Sequence, residues 1–226
     1  MIRSLAARYP SWPYAAPFVV FLALLALGPY SGLGPEIHYP IRVAVVTGVL
    51  LLWSRPLLHF KASRPLASAA VGLLVFVVWI GPDLLWPGYR SHWLFQNPLL
   101  GQVASSVAEP HRTAIAFLVW RMAGLVLLVP VIEELFWRAW LMRYIVSIDF
   151  ERIPLGVYSA ASFWIVALLF ASEHGPYWDV GLAAGIAFNW WMIRTRNLAD
   201  CILAHAVANA CLGGYVLAFS KWEYLL

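Results

Sequence analysis

TAIAFLVWRMAGLVLLVPVIEELFWRAWLMRYI, residues 113–145, decides the fold. Up to Pro130 the stretch is apolar apart from Arg121. Its helical pattern then continues through Glu133 and Glu134 to Ile145, with no turn signal other than Pro130. As one helix it would run about 50 Å, longer than a hydrocarbon core of about 30 Å. The helix should therefore kink at Pro130, splitting into two spans, or protrude from the membrane.

The rest of the chain repeats the apolar theme. Hydrophobic residues make up 62% and charged residues 12% of 226 positions. Both values lie far from the roughly 45–50% and 25% of soluble chains. That balance excludes a soluble globule, a disordered chain and a disulfide-rich secreted domain. Apolar runs at Ala15–Leu27, Ile41–Trp53 and Leu66–Ile80 precede the quoted stretch. Runs at Leu155–Ser172, Asp179–Ile193 and Ala199–Phe219 follow it. The expectation is an all-α, polytopic transmembrane bundle of about seven to eight spans. It forms a single membrane domain over 1–226, with core helices at 113–219. Met1–Pro13 resembles a signal peptide, but so many runs follow that it reads as the start of a retained first span. The third run stops at Gly81-Pro82-Asp83. The mixed stretch from there to Arg112 reads as amphipathic or re-entrant structure at an interface.

The net charge of +4 does not point to nucleic acid, because the basic residues are scattered at the ends of apolar runs. With the N-terminus in the cytoplasm, Arg3, Arg8, Arg55, Lys61, Arg64, Arg143, Arg152, Arg194 and Arg196 lie inside. Arg42, Arg90, Arg112 and Lys221 lie outside. The positive-inside rule prefers this topology. Cys201 and Cys211 are about 15 Å apart on one helix, too far for a disulfide.

Charges inside spans need a structural pair or a function. Glu134 and Arg138 stand at i, i+4 and can pair on one helical face. Glu133 lies about 100° round the helix from Glu134 and has no local cation. An unpaired carboxylate in a low-dielectric site suits a general base. The plainer alternative has both acids solvated at a helix end. Phe170-Ala171-Ser172-Glu173-His174 closes the fifth run, where a single histidine is ordinarily interfacial. His205 and Asn209 share a face at i, i+4. They fit a cavity wall or simple helix–helix hydrogen bonding. Arg121, Asn189 and Asp200 read as structural. Together the polar groups supply a base, an orienter and oxyanion donors for hydrolysis. They also offer several ligands for one metal with an open position.

These residues resemble the motifs of the CPBP family of intramembrane proteases, which includes the type II prenyl-protein (CaaX) endopeptidases and the bacterial Abi proteins. The motifs EExxxR, FxxxH and HxxxN stand in order as Glu133-Glu134…Arg138, Phe170…His174 and His205…Asn209. The surrounding text further resembles the CaaX-protease-related members associated with bacterial exosortase systems. The resemblance implies a hydrolytic site inside the membrane. Glu133 and His174 would activate a water, and His205 and Asn209 would stabilise the oxyanion. Glu134 and Arg138 would support the first motif's helix. A tightly bound metal is not favoured, because only two histidines are at hand and asparagine is a poor zinc ligand. If zinc binds, Glu133, His174 and His205 are its ligands. The implied partners are membrane lipid and a membrane-anchored peptide or protein. A non-catalytic scaffold or immunity protein, and a small proton-coupled transporter, are the alternative readings.

Overall fold

The computed structural model describes residues 9–225 and is all-α. Its seven main helices are α1 (Trp12–Leu27), α2 (Pro35–Val49), α3 (Pro65–Leu85), α4 (Ile115–Tyr144), α5 (Ala160–Ser172), α6 (Trp178–Thr195) and α7 (Leu198–Phe219). Each coincides with one of the apolar runs. Five of them are long and apolar enough to cross a membrane: α1, α2 with its extension to Leu57, α3, α4 and α7. This corrects the expectation of seven to eight spans. Helix α5 has 13 residues, about 20 Å of rise, which is short of the hydrocarbon thickness. Helix α6 carries Asp179, Asn189 and Arg194 and is too polar. Arg3 and Arg8 lie outside the described residues.

Helix α4 does not split at Pro130. It stays continuous over 30 residues by widening into π-helical turns at Gly124–Leu128 and Leu135–Leu141, on either side of the two glutamates. A proline leaves one upstream carbonyl without its N–H partner. At i→i+5 spacing that carbonyl is Leu125 O. The Asn209 side-chain amide donates to it at 2.9 Å, so α7 supplies the bond that the proline cannot. Helix α3 likewise passes through Gly81-Pro82 to Leu85.

Small residues set the close approaches, as expected where lipid gives no hydrophobic drive between helices. A Cβ on Gly72 of α3 would overlap the Ala204 carbonyl of α7, next to His205. One on Gly124 would overlap the Tyr39 hydroxyl of α2.

Polar networks fasten the two ends of the bundle. At one end, Asp200 in the first turn of α7 accepts bonds from the Ser63 and Arg64 amides and from the Ser63 and Ser68 hydroxyls. At the other end, Arg90 pairs with Asp83 and Asp179, and the Tyr224 hydroxyl donates to Asp83. Burial pushes the Tyr224 and Tyr177 phenols upward, and the neighbouring Asp83 adds to the shift. The stretch 86–112 forms this cap. Among the described residues it holds two three-residue 3-10 turns and no amphipathic helix. It is tied down by Ser106 donating to the Leu225 carbonyl and by the Trp178 indole donating to Leu94 O.

Candidate active site

Helix α4 places Glu133 and Glu134 on different sides. Glu134 is fully buried and pairs with Arg138 at 3.0 Å, also fully buried. The Arg138 Nε donates to Asn189 Oδ1 at 3.2 Å. The Asn189 amide donates in turn to the Phe163 carbonyl at 2.8 Å. On its other side, Glu134 Oε1 accepts from His205 Nδ1 at 2.9 Å. One buried polar chain thus links α4, α5, α6 and α7. The Arg138 guanidinium also lies 4.5 Å over the Phe170 ring. The i, i+4 spacing pointed to the pair itself. The bond to His205, 71 residues away, is tertiary and has no local signal.

Glu133 faces a cavity of about 460 Å³. His174, His205 and Asn209 line the same cavity, whereas Glu134 and Arg138 lie behind its wall. Glu133 Oε2 is buried with no hydrogen-bond partner among the described residues. His174 stands in the turn after α5, where its Nδ1 meets the Phe170 carbonyl at 2.7 Å. A carbonyl only accepts, so Nδ1 carries the proton and Nε2 is the acceptor of the neutral ring. Burial pushes this imidazole down to about 4, which keeps it neutral at pH 7. His205 is anchored in the same way: Nδ1 donates to Glu134, leaving Nε2 to accept. Its ring stacks on Phe188 at 4.9 Å.

Three further residues of this wall carried no strong sequence signal. Glu173 lines the cavity beside His174; an acid closing an apolar run was its only sign. Arg121, read as structural, lines the cavity and donates to the Tyr39 hydroxyl and to Ser106. Arg42, placed at an outer helix end from the sequence, is instead buried within α2 and lines the cavity as well.

As placed, the cavity's His and Glu donors do not gather around one metal position. Among the described residues, no three His, Cys, Asp or Glu side chains are grouped to hold one. Glu133, His174 and His205, the ligands expected for zinc, share the cavity without forming such a group.

The fold and cavity define a helical membrane bundle with a partly apolar chamber, lined by the carboxylates of Glu133 and Glu173 and by the acceptor nitrogens of two histidines. Residues 115–211 match the family model described as Type II CAAX prenyl endopeptidase Rce1-like. Over these residues the chain is similar to that family, which is one of proteases. The match begins with α4 and ends inside α7, so it covers the three motifs and less than half of the chain. No curated protein and no solved structure matches the chain.

Proposed function

We propose that the protein is an intramembrane endopeptidase that hydrolyses a peptide bond of a membrane-bound or lipid-anchored substrate. The observation that carries this reading is the meeting of Glu133, His174, His205 and Asn209 on one cavity, inside the segment that matches the protease family. In this reading Glu133 is the general base. Its partnerless oxygen accepts a proton from a water that His174 Nε2 orients, and the resulting hydroxide attacks the scissile carbonyl. Charge then develops on the carbonyl oxygen. Asn209 stabilises it with its remaining amide hydrogen, the other being used on Leu125 O. His205, held at Nδ1 by Glu134, would donate from Nε2 in its doubly protonated form. Glu134 and Arg138 are positioning residues that hold His205 and α4 in register.

The N-terminus is assigned to the cytoplasm on the balance of basic residues. The likeness to exosortase-associated members points, for a bacterial source, to sorted or anchored exported proteins as substrates.

The test is cleavage of membrane-anchored peptides by purified protein, compared with Glu133→Gln and normalised to folded enzyme. Wild type should cleave and Glu133→Gln should not. Full activity in Glu133→Gln would remove the base from the mechanism. His174→Ala should resemble Glu133→Gln, and the double variant should be little worse than either, because the two act on one water.

A further inference from the structure

Helix α3 lies wholly outside the segment that matches the protease family, which begins at residue 115. One of its faces nevertheless runs along the site. Ser68, Gly72, Val75 and Trp79 stand at i, i+4, i+7 and i+11, a single helical stripe. Ser68 donates to Asp200 at 2.9 Å and accepts from the Trp191 indole at 3.1 Å, which ties the stripe to α7 and α6. Gly72 lets α3 approach the Ala204 carbonyl, one residue before His205. Val75 and Trp79 line the cavity. About two turns beyond Gly72, the Trp79 ring meets the His174 ring edge to face, with centroids 5.2 Å apart and planes at 73°.

The imidazole of His174 depends on such neighbours for its aim. It stands in a turn rather than inside a helix, and its one hydrogen bond there is from Nδ1 to the Phe170 carbonyl. One hydrogen bond leaves a ring free to swing about it. The Phe170 ring packs against the imidazole at 4.8 Å. Gly181 of α6 makes room for it, since a Cβ there would stand 3.2 Å from His174. Trp79 is the contact from across the bundle, and it is itself stacked on Tyr177 at 6.3 Å with planes at 10°. Its indole N–H has no hydrogen-bond partner among the described residues. What Trp79 gives His174 is therefore a ring surface and not a hydrogen bond.

We infer that Trp79 is a positioning residue for His174, so that α3, outside the family match, holds part of the reactive geometry. Its ring keeps the Nδ1 bond to Phe170 O made and so keeps Nε2 as the acceptor that meets the water. Displacing a reacting group by about 1 Å costs up to about a hundredfold in rate. This assignment rests on the reaction taking place in the Glu133 cavity.

The experiment has two arms, both on the full chain in nanodiscs. The first measures cleavage of a lipid-anchored peptide, normalised to folded enzyme. Trp79→Leu should lower kcat about tenfold to a hundredfold with KM little changed. Trp79→Phe, which keeps a ring, should retain most of the rate. In a His174→Ala background, Trp79→Leu should add no further loss, because the group it positions is gone. The second arm reads the ring directly, by nitrogen NMR of histidine-labelled protein, with the His174 signal assigned by its absence in His174→Gln. Wild type should show one tautomer, protonated at Nδ1, and Trp79→Leu should show both. An unchanged kcat in Trp79→Leu, an equal loss with and without His174, or a single tautomer retained in Trp79→Leu would overturn the assignment. If wild type cleaves no peptide, the protease reading fails, and the NMR arm still decides whether Trp79 holds His174.

Discussion

The cavity has two unlike walls. Helices α4 to α7 form one of them. Its buried polar groups are joined from Phe163 O through Asn189, Arg138 and Glu134 to His205. Arg121, Glu133, Glu173, the two histidines and Asn209 are polar groups of this wall that line the space. Helices α1 and α2 form much of the other wall, which is aromatic and aliphatic, with Arg42 held by ring faces rather than by an acid. The first wall pairs Glu134 with Arg138 internally and turns other polar groups toward the space. The second leaves a charge unresolved. Such a division suits chemistry on one side and recognition on the other.

Four measurements put this contrast at risk. The largest effect should come from Glu133→Gln, which keeps the shape of the reactive wall and removes its base. Cleavage per folded enzyme should fall about 10²–10⁴-fold, with the melting temperature in detergent little changed. Next comes Arg138→Met, which strands the buried Glu134 carboxylate. Removing one partner of a buried pair costs about 3–5 kcal/mol, so thermal unfolding and folded yield should both drop. Adding Glu134→Gln to Arg138→Met should recover part of the loss, since the pair fails as a unit. A double variant as unstable as Arg138→Met alone would show that the chain is not organised around this pair.

Asn209→Ala should cost about 10²–10³ in rate through the lost oxyanion donor. It should also cost about 1–3 kcal/mol in stability, because Leu125 O is left without a donor. A stability loss with an unchanged rate would make Asn209 a helix fastener only. The smallest effect belongs to Arg152→Ala, outside both walls. Its pair with Asp149 is largely exposed, so unfolding should shift by no more than about 1 kcal/mol.

The helices were legible because apolar run length and composition determine them. Each of the seven runs became a helix. Crossing a membrane makes a stricter demand, and α5 fails it on length and α6 on polarity. Pro130 was misleading because a proline breaks a helix only when nothing replaces its missing bond. The π turn and Asn209 come from opposite ends of the matched segment and together replace it. In the candidate site, the pairing of Glu134 with Arg138 was legible because both lie on one helix. The link from Glu134 to His205 and the burial of Arg42 depend on tertiary neighbours. A run of residues does not announce those.

The buried chain also has an order in time. Synthesis proceeds from the N-terminus, so Glu134 and Arg138 emerge before Asn189 and His205. Because the two partners sit one turn apart, their charges already cancel within α4 while that helix is still without its later neighbours. Asn189 then arrives on α6 to take the Arg138 Nε, and His205 arrives last, on α7, to donate to Glu134. The helix that closes the network also brings the second histidine and Asn209, so this wall is assembled only once α7 has joined α4, α5 and α6.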